Sequence, residues 1–271
     1  MTRTLKRLWL MGGVPAALAL TSGACGRADE LNADEAVDSA ETSQAEGALI
    51  AAGMEDDSAA AGGGSSIKAA DLVAAALARG AARFQPAGCA SVSASDTTLT
   101  YTLTECTGRF GLVHVTGTVT ATLTDSSDGL DIAVTGPGLK VNRATMDLTA
   151  SAVLSDDGGN RKLVVTTHSH GVGPRGNAFT RDGSYTVERN PATACVSLDG
   201  QWQLDVAGAR DRSTTVTGLA RCDGMCPMAG GRIVHTGVLG HTVTVTFDGS
   251  AVASWTASTG RSGTVDLTCG G

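Results

Sequence analysis

The chain has 271 residues, 42% of them hydrophobic but only 3% aromatic, with a formal net charge of −7. A β-rich or helical core is affordable at this length, but it must be built from Val, Leu, Ala and Ile rather than from rings. The charge is uneven: residues 26–65 hold ten acidic residues and one basic, and the body after them is close to neutral, which argues against nucleic-acid binding, where a basic face is needed.

In chain order, the first feature is Arg3, Lys6 and Arg7, then an apolar run over residues 8–20, then small residues up to Ala24 and Cys25. Basic residues, a short apolar run and a small-residue end are the layout of a bacterial secretion signal. The run, broken by Gly12, Gly13 and Pro15, is too short for a lasting anchor across a bilayer, which takes about 20 residues. Small residues followed at once by a cysteine resemble the lipobox of bacterial lipoproteins. The resemblance implies cleavage after Ala24 and acylation, including palmitate, of Cys25. The usual Leu three positions before the cysteine is Ser22 here. Ser22-Gly23-Ala24 also suits ordinary signal peptidase, which would release a soluble protein. Parity favours the lipid: without Cys25, six cysteines remain, Cys89, Cys106, Cys195, Cys222, Cys226 and Cys269, an even set that reads as three disulfides in an exported protein. Of the fifteen connectivities open to six cysteines we favour Cys89–Cys106 and Cys222–Cys226, leaving Cys195–Cys269.

Three parts follow: a signal peptide over 1–24, the lipidated cysteine with an acidic tether over 25–65, and one β-sheet domain with an N-terminal helix over 66–271. The tether has too few large apolar residues to offset its ordering entropy and reads as disordered, with a reach on the order of 35 Å. Ser66 is placed to cap a helix over residues 67–84, with Ile67, Ala70, Val73, Leu77, Ala81 and Phe84 on its apolar face. From Leu99 the period changes to 2. Leu99, Tyr101 and Leu103 alternate with threonines, and Val113, Val115, Gly117, Val119, Ala121 and Leu123 repeat the pattern. That is the signature of half-buried antiparallel strands.

Asp-Gly occurs six times and is the usual hairpin signal. At Asp182-Gly183, Asp199-Gly200 and Asp248-Gly249 the apolar phase runs straight through, Arg181 being an exception to it. These read as long strands with a glycine on the apolar face, and Gly117 fits the same scheme. Such glycines bend a strand, and Tyr185, Trp202 and Trp255 are placed to cover the gaps. Turns are expected at residues 126–129, 156–160 and 208–211. The fold reading is mainly β: a large curved antiparallel sheet of about eleven strands in meander order, with one N-terminal helix packed on it. A membrane barrel is the rival, but the aromatic girdles it would want are missing.

Few residues point to chemistry. Residues 171–176 spell G-x-G-x-x-G, but a strand rather than a helix follows, so they read as a loop. His168 and His170 share one strand face at a spacing metals use, and are weak metal candidates beside a plain solvated reading. Asp125, Asp128 and Asp131 flank a turn without the EF-hand pattern. No nucleophile–base pair is identifiable, and no cofactor is expected.

Segments such as GLKVNRATMDL (138–148), LDGQW (198–202), RCDGMCP (221–227) and GRSGTVDLTCGG (260–271) resemble a group of predicted lipoproteins from myxobacteria. That resemblance implies an exported envelope lipoprotein and carries no activity. Gly26 after the cysteine lacks the inner-membrane retention signal that Asp provides in enteric lipoproteins, so the outer membrane or cell surface is expected. The expected function is a lipid-anchored structural or interaction protein, held to the membrane by its lipid and contacting an envelope protein. One alternative is a half-barrel-like carrier of a lipid or other apolar ligand, with Gly117, Gly200, Gly249, Ala251 and Ala253 leaving room inside. A further alternative is a metal-dependent enzyme using His168 and His170.

Overall fold

A computed structural model describes Asp29, Ala33 and residues 68–267, apart from 108–113, 158–159, 174–175, 191–192, 194, 209, 223–224 and 238. From residue 68 on, the chain forms helix α1 (Ala69–Arg79) and a 3-10 turn (Ala81–Arg83). Thirteen strands follow: β1 (Ala90–Ser95), β2 (Thr98–Thr107), β3 (His114–Ser126), β4 (Gly129–Val141), β5 (Ala144–Asp157), β6 (Asn160–Val172), β7 (Ala178–Asn190), β8 (Cys195–Val206), β9 (Arg212–Cys222), β10 (Arg232–Thr236), β11 (Thr242–Thr246), β12 (Val252–Ala257) and β13 (Ser262–Asp266). They form one antiparallel sheet in sequence order, each strand paired with its neighbours in the chain. The order runs from β1 to β13 as two edges, so the sheet does not close into a barrel. No described helix is long and apolar enough to cross a membrane.

Alternation accounts for the strands. In β4, Leu130, Ile132, Val134 and Leu139 are buried while Asp131, Ala133 and Thr135 face out. The outward positions are largely threonine, a β-branched residue that suits a solvated pleat. Breaks in register bend the sheet at Leu103/Cys106, Thr116/Thr120, Gly136/Leu139 and Leu198/Gly200. At the second and third breaks the Leu139 side chain fills the space: a Cβ on Gly117 would lie 2.8 Å from its Cδ2, and one on Gly136 2.6 Å from its Cδ1.

Rings and glycines sort together in the later strands. Phe179 pairs with Gly171, Tyr185 with Gly200, Trp202 with Gly183 and Trp255 with Gly263. Phe247 lies against Gly231, its Cδ2 3.3 Å from where a Cβ would sit. At Gly231 and Gly263 a ring fills the place of the missing side chain, whereas at Gly171, Gly183 and Gly200 that place is closed by the Thr145 carbonyl and Met146, by Thr167 Oγ1, and by Tyr185 Cα and Cβ.

The strands through Asp182-Gly183 and Asp199-Gly200 are continuous, as the phase predicts, and the turns expected at 126–129 and 208–211 fall at the β3–β4 and β8–β9 connections, while the middle of that expected at 156–160 lies outside the described residues. Asp248-Gly249 is different: it lies in the β11–β12 connection. Asp248 Oδ1 accepts the Ser250 N–H at 2.9 Å, and Gly249 has φ +94°. The Ser250 hydroxyl and N–H hold the Asp248 carboxyl below its ordinary pKa. This local Asx turn outweighs the apolar phase, and it splits one predicted strand into two.

Helix α1 is shorter than predicted and presents a different face. It ends before Gly80 and buries Ala69, Leu72, Val73, Ala75 and Ala76, while Ala70 is exposed and Leu77 is 49% exposed. Small alanines let the helix lie close to β1–β3, and the bulkier Leu77 is left outside. Its start is capped by the sheet: the Ala69 N–H donates to Asp125 Oδ1 at 2.8 Å, and Lys68 Nζ lies 3.8 Å from Asp125 Oδ2. The predicted cap, Ser66, lies outside the described residues.

Candidate functional site

The chemistry-bearing residues meet at the end of the sheet where β5 starts, β6 ends, β7 starts and β8 ends. There Met146, Gly171, Val172 and Phe179 line an open cleft of about 560 Å³, with Asp147, His170 and Asp205 on its rim. The backbones of β5 and β6 approach closely at Gly171, where a Cβ would lie 2.7 Å from Met146 Cα. Any larger residue would push the strands apart. Val172 is 47% exposed, so the cleft offers an apolar wall to solvent.

Strand pairing gives each predicted histidine its own carboxylate. His168 sits opposite Asp182, with Nδ1 2.6 Å from Asp182 Oδ1. His170 sits opposite Asp147, with Nε2 3.3 Å from Asp147 Oδ2. Asp147 is itself fixed, its Oδ1 accepting the Gly138 N–H at 2.6 Å. The two rings lie 6.1 Å apart, each turned to a different acid, and all four side chains are at least half exposed. Among the described residues no group of three or more His, Cys, Asp or Glu is arranged to hold a metal ion. The His–Asp pairs are solvated cross-strand ion pairs when the imidazoles are protonated, a geometry that contributes modestly to sheet pairing.

Asp125, Asp128 and Asp131 are not brought together. Asp125 caps α1, Asp128 accepts from the Ser127 hydroxyl at 3.1 Å, and Asp131 pairs in register with Thr124. Gly173 and Gly176 of the G-x-G-x-x-G motif lie in the β6–β7 connection and lead into a strand.

The disulfides correct two expected pairings. Cys89 and Cys106 are bonded as predicted, but Cys195 is bonded to Cys222, so neither Cys222–Cys226 nor Cys195–Cys269 forms. Cys195 opens β8 and Cys222 closes β9, and the register places them directly opposite. Cys226, four residues on, is itself disulfide-bonded, while Cys269 and the predicted lipid site Cys25 lie outside the described residues.

Two features were missed in the sequence. The inward face of β6–β10 carries buried polar groups: Arg161, Thr167, Ser169, Arg181, Arg189, Thr214, Arg221 and His235. Arg181 stacks over Trp202 at 5.7 Å, Arg221 Nε donates to the Met225 carbonyl at 2.8 Å, and His235 Nδ1 lies 2.9 Å from Thr214 Oγ1. Their inward phase was legible, Arg181 having broken the apolar pattern. The second feature is Asp29. It lies in the segment read as a tether, yet it is helical and fully buried, as is Ala33 one turn later. The Thr259 hydroxyl donates to Asp29 Oδ2 at 2.7 Å, and His241 Nδ1 lies 3.5 Å from Oδ1. No local signal marks Asp29, because its partners come from the far end of the chain.

No known protein-family model, curated protein or solved structure matches this chain.

Proposed function

We propose that the protein is an exported, lipid-anchored envelope protein with a structural or interaction role, held to the membrane through Cys25. The signal layout and the residual even set of cysteines support the anchor. The observation that carries the choice of role is how the inner face is filled. The small residues that would have left room for a ligand are occupied or displaced. Leu139 fills the space at Gly117, and at Gly200 a Cβ would collide with Tyr185 Cα and Cβ. Gly249 and Ala251 are exposed in the β11–β12 connection, and Ala253 is fully buried. A sheet packed by its own side chains acts through its surfaces.

The carrier reading survives at the cleft of Met146, Val172 and Phe179, whose apolar wall suits a small apolar molecule. Native mass spectrometry of the mature protein, purified in detergent from its own membrane, separates the two. A protein mass without a bound small molecule supports the interaction role; a stoichiometric lipid-sized adduct, lost in Phe179→Ala, supports the carrier. The anchor has its own test. Cys25→Ser is expected to move the protein from membrane to soluble fractions, and a soluble wild type overturns it.

A further inference from the structure

In a meander, alternate connections lie at opposite ends of the sheet, and here they differ in charge. At one end, the β1–β2, β3–β4, β5–β6 and β11–β12 hairpins expose Asp96, Asp128, Asp156 and Asp248. At the other end, the β4–β5, β8–β9 and β12–β13 turns expose Arg143, Arg210 and Arg261, with Asp211 adjoining Arg210. The β10–β11 turn at this second end carries Leu239, 54% exposed, and Arg210 Nη1 lies 3.5 Å from its carbonyl oxygen. So one end has carboxylates at these four tips, with Arg232 exposed beside the β9–β10 connection, and the other, basic at its tips, has three arginines and a protruding leucine, with the exposed Asp147 and Asp205 set back on the cleft rim at the same end.

Asp29 docks at the basic end. Its two partners, His241 and Thr259, lie in the β10–β11 and β12–β13 turns. The carboxylate is fully buried, with one hydrogen bond from Thr259 and the His241 ring beside its other oxygen, so it is seated between the two turns rather than touching them from outside. Asp29 is four residues from Cys25. Four extended residues span at most about 14 Å, against the roughly 35 Å reach of a free forty-residue tether. A Debye length at physiological salt is about 8 Å, so a charge must be brought this near a surface to feel it.

We infer that the basic end of the sheet, comprising Arg143, Arg210, Arg261 and Leu239, lies on an anionic lipid surface, with Asp29 as the positioning residue that fixes this orientation. The inference rests on the lipid-anchor reading of Cys25. The arginines meet lipid phosphates, Leu239 enters the headgroup boundary, and the acidic tips point away from the membrane.

Hydrogen exchange of the acylated full chain, in bilayers containing phosphatidylglycerol and in detergent, tests this. In the bilayer, amides of residues 207–212, 237–241 and 258–261 are expected to exchange about five-fold more slowly or less, while those of 96–97, 127–128 and 248–250 are unchanged. Asp29→Ala, and separately Arg143→Glu/Arg210→Glu/Arg261→Glu, are expected to abolish that protection while the protein still co-sediments with the vesicles. The triple variant changes exposed turns only, so it keeps the test valid if Asp29→Ala disturbs folding. Acylated protein with equal exchange at both ends, or protection that survives the triple variant, overturns the orientation alone. An intact mass without acyl chains on residue 25 overturns the anchor reading and the orientation with it.

Discussion

The sheet has two unlike halves joined by continuous strand pairing. In β1–β5 every buried residue is apolar, and α1 covers the first three strands. In β6–β10 the same inward face carries four buried arginines, a histidine and three hydroxyls among its apolar residues. The cross-strand pairs of aromatic and glycine begin where the polar groups do, with Phe179 opposite Gly171. The first half is stabilised by removing methyl and methylene groups from water, at about 25 cal/mol per Å². The second half owes more to polar contacts, such as Arg221 Nε to the Met225 carbonyl and Thr214 to His235, and to close backbone packing at its glycines, which tolerate less change in geometry. The comparison teaches that strand alternation alone reports which side is inward, not what the inward side is made of.

Substitutions that probe each half test this contrast. Leu130 is fully buried in the apolar half, and Leu130→Ala is expected to cost about 2–5 kcal/mol in denaturant unfolding, with the slope m unchanged. In the second half, Gly200→Ala drives a methyl into Tyr185 and is expected to cost about 1–3 kcal/mol. A ring–glycine contact proper is Trp255 over Gly263, where a Cβ would lie 2.7 Å from Trp255 Cζ2: adding Trp255→Ala to Gly263→Ala should cost less than Trp255→Ala does alone, giving a coupling of about 0.5–3 kcal/mol in a double-mutant cycle. Strict additivity would mean that the ring and the glycine do not act as a unit.

Removing the Cys195–Cys222 bond by a double serine substitution should cost about 2–4 kcal/mol, read by thermal unfolding with and without reductant. Thr214→Val leaves the buried His235 Nδ1 without its hydroxyl partner and should cost about 1–3 kcal/mol. If Thr214→Val is neutral, the polar half is held by packing, as the first half is, and the distinction fails. The smallest effect belongs to the junction of helix and sheet. Asp125→Ala deprives the Ala69 N–H of its acceptor and should cost about 1 kcal/mol, seen as faster exchange in the first turn of α1.

Most of the sheet was legible because a period of two persists through its strands, even across Asp182-Gly183 and Asp199-Gly200. It failed at Asp248-Gly249, where one side-chain hydrogen bond to Ser250 closes a turn that alternation cannot register. The helix face was misread because Leu77 and Ala70 fit the period as well as Leu72 and Ala76 do, and only the surface of β1–β3 decides between them. Cys195–Cys222 was hidden for the opposite reason: its partners are close only once β8 and β9 are in register. The cleft beside His170 needs four strand ends to converge, so no single stretch of the chain announces it.

The neighbour-to-neighbour pairing of all thirteen strands also sets an order in time. Each hairpin can close as soon as its two strands have been made, because none waits for a distant partner. The hydrogen bond from Thr259 to Asp29 is the contrary case, spanning 230 residues. It forms only after β12 and β13 exist. Asp29, which precedes every strand in the chain, is thus among the last residues to be fastened, and its fastening reports that the whole sheet has been made.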